Sequence, residues 1–114
     1  MPSNSLRIIA HHLYEYKKGV RQLILHTTGA AHQEAIENIL RKKKVGYWIQ
    51  KVNQKKINVF LGKSECIDIV RQMDFKSLSE LTDEQDFMLG IMLGYDRLKQ
   101  CRRYLRRKNG FLRK

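Results

Sequence analysis

VGYWIQKVNQKKINVFLG, residues 45–62, holds two runs in which apolar side chains fall at every second position, joined by the polar link Asn53-Gln54-Lys55-Lys56. Alternation with period two is the mark of a strand with one face buried, because successive side chains leave a pleated backbone on opposite sides. The segment therefore predicts a β-hairpin. Val45, Tyr47 and Ile49 share a face with Ile57, Val59 and Leu61. A one-residue slip would turn all of them toward water, so the pattern sets the register too.

Working toward the N-terminus, Ala31, Ala35, Ile36, Ile39 and Leu40 form one apolar stripe at helical spacing, and the helix they predict ends in Arg41-Lys42-Lys43-Lys44. Cations suit that end because the last carbonyls of a helix are partly negative. Before it, VRQLILHTT (residues 20–28) is aliphatic and β-branched and stops at Gly29, which reads as a strand. Leu23 and Leu25 fall on one of its faces and Val20 and Ile24 on the other, so this reads as the central strand, with both sheet faces covered. Leu6, Ile9, Ala10 and Leu13 predict a first helix, with Ser3 or Ser5 as cap and Gly19 as stop.

Toward the C-terminus, Ser64 caps a short helix with Cys66, Ile67, Ile69, Val70 and Met73 inside, and residues 77–81 form a connector. Thr82-Asp83-Glu84-Gln85 is a capping box, and it opens a long last helix. Phe87, Ile91, Tyr95, Leu98 and Leu105 make its main stripe, widened by Met88 and Met92. Its uninterrupted apolar run, Phe87 to Tyr95, rises only about 13.5 Å as a helix, against the roughly 30 Å of a bilayer core, so no membrane span is expected. Gly90 and Gly94 each cost about 1 kcal/mol relative to alanine inside a helix, which points to another backbone passing close by.

Strand, helix, hairpin, helix in this order give an α+β fold: a three-stranded sheet in a partial ferredoxin-like arrangement, packed by four to five helices, with a long C-terminal helix in place of the fourth strand. The 114 residues form a single domain with one real core, ending in a basic tail from about residue 109. The net charge of +12 is uneven. Residues 1–96 carry 14 Lys/Arg against all 11 Asp/Glu, whereas residues 97–114 carry nine Lys/Arg and no acid. Such asymmetry concerns partners and solubility, because the summed field attracts polyanions of any kind.

HHLYEYKKGVRQLILHT (residues 11–27) together with DEQDFMLGIMLGYDRLKQCRRYL (residues 83–105) resembles the domain of unknown function 2023 family of small bacterial proteins, over nearly the whole chain. The resemblance implies three strands and about five helices, a homodimer, and no catalytic residues. It also implies genes beside a flavodoxin gene, and so flavodoxin, an acidic electron carrier, as a candidate partner.

Few residues suggest chemistry of their own. His11 and His12 are adjacent and point about 100° apart on a helix, and His11 with Glu15 supplies only two ligands, so no metal site is expected. Cys101, flanked by arginines that would favour a thiolate, is weighed as a reactive thiol against a packing residue. The Thr27–Ala31 strand-to-helix turn offers amides to a phosphate but lacks the glycines and lysine of a phosphate loop. The residues show no catalytic constellation and call for no cofactor. Two cysteines without ligand spacing and an N-terminus without a secretion pattern fit a reducing cytoplasm.

Two functions follow from the charge. In the first, the chain is a non-enzymatic homodimeric interaction module. Its last helix docks an acidic protein through Arg102, Arg103, Arg106, Arg107 and Lys108, and pairs with its mate through Gly90, Ile91, Gly94, Tyr95 and Leu98. In the alternative, the same cations hold nucleic acid, with Tyr47, Trp48 and Tyr104 stacking on bases.

Overall fold

The structure, a computed structural model, describes residues 4–110. Ser3 and Phe111 to Lys114, including the last two cations of the tail, lie outside the described residues. Five helices and three strands follow in the order α1 (Asn4–Lys17), β1 (Leu23–Gly29), α2 (Gln33–Lys42), β2 (Gly46–Lys51), β3 (Lys56–Gly62), α3 (Ser64–Gln72), α4 (Asp83–Met92) and α5 (Arg97–Asn109), with single 3₁₀ turns at Ala30–His32 and Leu78–Glu80. The fold is α+β.

The hairpin forms as its alternation requires. β2 and β3 pair antiparallel with Tyr47 opposite Leu61 and Ile49 opposite Val59, and β1 pairs antiparallel with β3 along the other edge. The order is β1-β3-β2. The strand read as central, β1, is thus an edge strand, and it begins at Leu23 rather than Val20, which is 68% exposed. β3 takes the centre because its tight turn to β2 leaves its other side for β1. Only β1-α2-β2-β3 follows the ferredoxin-like plan, because α3 turns to the opposite face of the sheet from α2.

Both sheet faces are covered. On the first, Ile9 and Leu13 of α1 and Ile36 and Leu40 of α2 close over Ile24, Ile57, Val59 and Leu61. On the second, Phe60 is fully buried, stacked on Trp48 and edge-on to Phe75, and Ile67, Val70, Leu81, Leu89 and Leu93 seal it. Ile69, expected inside α3, faces out.

Polar side chains fix the open end of this second face. Thr27, Asn58 and Gln50 stand in register across all three strands. The Thr27 hydroxyl donates to Asn58 Oδ1 (2.6 Å), Asn58 Nδ2 to Gln50 Oε1 (3.0 Å) and Gln50 Nε2 to the Phe75 carbonyl (3.3 Å). Each buried amide in the row has a partner, and a register slip would strand them all.

Candidate partner-binding surface on the C-terminal helices

The segment read as one long helix is two. The capping box forms as the sequence predicts, with the Gln85 amide donating to Thr82 Oγ1 and the Thr82 amide to Gln85 Oε1, both at 3.1 Å. The helix it opens ends at Met92. Gly94 has φ +80°, the left-handed conformation that terminates helices and that glycine adopts without steric cost, and its amide donates to the Ile91 carbonyl. Asp96 then caps α5, its Oδ1 accepting from the Lys99 amide at 2.8 Å. The chain reverses, and α5 packs back along α4.

The break changes what the two glycines mean. Nothing lies within 4 Å of where a Gly94 Cβ would stand, so Gly94 serves the turn rather than a close approach. At Gly90 a Cβ would overlap the Gln100 side chain, so the close neighbour is α5 of the same chain. The residues expected to anchor the segment also change. Leu89 and Leu93 enter the core, whereas Ile91, Tyr95 and Leu98, named for a dimer contact, are exposed.

The reversal sets the first turn of α4 beside the last turns of α5. Arg103 grips Asp86 with two parallel bonds, Nε to Oδ2 at 2.8 Å and Nη2 to Oδ1 at 3.0 Å. Arg107 bridges Asp86 Oδ1 (2.9 Å) and Asp83 Oδ1 (3.0 Å). Lys108 meets Glu84 Oε2 at 2.7 Å, and the Tyr104 hydroxyl donates to the same oxygen at 2.9 Å. Acids at a helix N-terminus and bases at a C-terminus each also favour their own helix dipole. The bond from Lys108, then that from Tyr104, hold the Glu84 carboxyl at about 2. The bond from Arg103 lowers Asp86, and Asp86 in turn raises Arg103.

Three of the five cations expected to stand free, Arg103, Arg107 and Lys108, are therefore engaged inside the chain. Their acids lie 17 to 24 residues away, and no helical spacing could have paired them. The side chains of Arg102 and Arg106 have no ion pair or hydrogen bond among the described residues, and neither do those of Arg97 and Lys99. Arg102 and Arg106, one turn apart, share the flank of α5 turned away from α4.

The other candidate residues are spoken for. Trp48 sits in the aromatic core, the Tyr47 hydroxyl donates to Glu37 Oε1 (3.0 Å), and the Tyr104 ring packs against Phe87. In the Thr27–Ala31 turn the Ala30 amide donates to the Lys55 carbonyl, and Thr28 pairs with Ser5. Among the described residues no three His, Cys, Asp or Glu side chains converge on one point. His26 is buried beneath α1 beside His12, its Nε2 3.1 Å from Ser5 Oγ. Burial lowers the pKa of both histidines. Cys66 and Cys101 are free thiols, each half-buried, and burial pushes the Cys66 thiol up. No helix among the described residues is long and apolar enough to cross a membrane.

No curated protein matches the chain. The family model described as Protein of unknown function (DUF2023) matches residues 7–107, a span that holds all three strands and the capping box and reaches into the first and last helices, and the chain belongs to this family.

Proposed function

We propose that this protein is a non-enzymatic interaction module that docks an acidic protein through the outer flank of α5. The reading rests on one observation. The acids of α4 are consumed in holding α5, so Arg97, Lys99, Arg102 and Arg106 keep their full charge on a helix that is itself fixed in place. A fixed cationic ridge raises the association rate of an acidic partner and loses that advantage as salt screens it. Flavodoxin is the named candidate. Protein docking is favoured over nucleic acid because Tyr47, Trp48 and Tyr104 have partners within the fold.

The test changes Arg97, Lys99, Arg102 and Arg106 to glutamine together, leaving Arg103 and Arg107 to hold the hairpin, and titrates flavodoxin and a short oligonucleotide separately. Flavodoxin affinity is expected to fall about tenfold or more at moderate salt. Loss of oligonucleotide binding alone would transfer the ridge to nucleic acid, and unchanged affinity for both would leave the cations as solubility charges.

A homodimer and a cytoplasmic location belong to the same reading. Ile91, Tyr95 and Leu98 leave an apolar patch at the elbow between α4 and α5, and the two cysteines are unpaired. Light scattering should give a dimer at micromolar concentration that Ile91→Ser with Leu98→Ser dissociates. A monomer before substitution would remove the mate.

A further inference from the structure

β1 is an edge strand, and the backbone on its outer side has no hydrogen-bond partner among the described residues. Two bonds at its ends fix which groups face that side. The Lys63 amide donates to the Gln22 carbonyl (2.9 Å) and the Ala30 amide to the Lys55 carbonyl (2.7 Å). Both pairs continue the register that sets Leu23 opposite Gly62 and Gly29 opposite Lys56. Bonded residues alternate along an antiparallel ladder. Ile24, His26 and Thr28 therefore bond to β3, while Leu23, Leu25, Thr27 and Gly29 turn their N–H and C=O groups outward.

An open edge is a template for another strand, and monomers guard it with lysine, proline or a bulge. β2, the other edge, has Lys51 at its end and Lys42-Lys43-Lys44 shortly before it. β1 has none of these guards. Its register is unbroken from Leu23 to Gly29, and residues 22–33 are the longest run in the chain without Asp, Glu, Lys or Arg. The cation just before that run, Arg21, lies 3.7 Å from Glu15. Apolar side chains border the edge as well. Leu25 lines a depression of about 430 Å³ together with Leu93 and Tyr95, and exposed Val20 shares a second one with Tyr95.

We propose that the outer edge of β1 pairs antiparallel with β1 of a second copy, about a twofold axis at His26, joining the two sheets into one. This rests on the homodimer reading above and adds the strand that makes the contact. Charge selects the occupant. With +12 on each chain, two copies repel wherever their cations meet, and the uncharged edge is where they approach with least repulsion. An acidic partner finds no cation on this strand and is drawn to α5 instead. Symmetry agrees, because with the axis at His26, Leu23 falls opposite the partner's Gly29 and Leu25 opposite the partner's Thr27. Every outward group of the strand then meets its complement, whereas a register shifted either way leaves one end unpaired.

Amide hydrogen exchange of the wild-type protein, followed by NMR over a dilution series, reads the edge directly. In the dimer the Leu25 and Thr27 amides should be protected, and dilution to monomer should speed them about tenfold or more while Ile24, His26 and Thr28 hold their rates. Gly29→Pro is the matching variant. Gly29 has φ −68°, which proline adopts, its amide takes no part in the bonding to β3, and an added Cβ would stand 3.7 Å from its nearest neighbour. The circular dichroism should be unchanged, and the dimer dissociation constant should rise about tenfold or more, because the twofold repeats the lost bond at both ends.

A dimer whose Leu25 and Thr27 amides exchange freely, and which Gly29→Pro leaves intact while Ile91→Ser with Leu98→Ser dissociates it, would overturn the edge pairing and leave the homodimer standing on the elbow. A monomer at micromolar concentration and above would overturn both. Protection of the two amides that dilution does not change would mean that the chain covers its own edge. Protection that appears only when flavodoxin is added would give the edge to a foreign strand. Either result overturns the proposal.

Discussion

Helix α4 and its C-cap carry Leu89 and Leu93 into the aromatic core, whereas α5, which begins after a four-residue break, has no fully buried side chain and is held chiefly by Arg103, Arg107, Lys108 and Tyr104 on the acids of α4. Burying a leucine contributes about 1.5–3 kcal/mol and is indifferent to salt, while exposed ion pairs contribute about 0–1 kcal/mol each and weaken as ions screen them. The body of the molecule and its last helix should therefore respond to different perturbations. An element held along one side is also free to offer its other flank, and that is where Arg102 and Arg106 lie.

The largest effect is expected in the body. Phe60→Ala removes the ring between Trp48 and Phe75 and should cost about 3–5 kcal/mol in urea unfolding. A loss below about 1 kcal/mol would mean that the second face is not the core it is taken for. Asn58→Ala comes next. It leaves Gln50 Oε1 and the Thr27 hydroxyl without their buried partner, and the expected cost is about 1–3 kcal/mol.

Asp86→Asn addresses the hairpin itself, since Asp86 serves both arginines. The fall in global stability should be about 1 kcal/mol. The sharper readout is hydrogen exchange: α5 amides should quicken in the variant, and in wild type at about 1 M salt, while β3 amides hold their rates. Equal acceleration in both would abolish the distinction between core and hairpin.

Acid should separate the two regions in steps. His12 and His26 are lowered from 6.5 chiefly by burial, with Arg21 pressing on His12 and His12 on His26 against the support of Glu15. The unfolded chain then binds protons first, so the stability of the body is full above about 6.5 and declines as pH falls from there through the lowered folded values. Asp86 and Glu84 are also lowered, Glu84 to about 2, so the hairpin's share is full above the ordinary carboxylate range and lost as pH falls toward 2. Protection of α1 and β1 amides should fail before that of α5 as pH drops, and the reverse order would refute the assignment.

Gly90→Ala tests the contact between the helices at smaller cost. Its Cβ displaces the flexible end of Gln100, so the change should be near neutral alone and gain up to about 1 kcal/mol when combined with Gln100→Ala. Arg102→Gln with Arg106→Gln should shift stability by no more than about 0.5 kcal/mol, because neither arginine has a partner to lose.

Local rules carried the sequence reading far. Strict alternation in residues 45–62 settled the hairpin and its facing side chains, because a pleat leaves no other way to bury Val45, Tyr47 and Ile49 with Ile57, Val59 and Leu61. The stripe through Ile36 and Leu40 settled α2, and Thr82 with Gln85 settled the start of α4, since a capping box involves only its own turn. The end of α4 was written as well: Gly94 followed by Asp96 is a stop and a cap. The helical spacing of Phe87, Ile91, Tyr95 and Leu98 runs straight through that break and concealed it. Everything beyond the break depended on the chain turning back. Only then do Asp83, Glu84 and Asp86 meet Arg103, Arg107 and Lys108, and only then do Arg102 and Arg106 stand apart from those three like-charged neighbours as side chains left free. Composition counts charges, but the distance between them, which decides whether they cancel, exists only in the folded molecule.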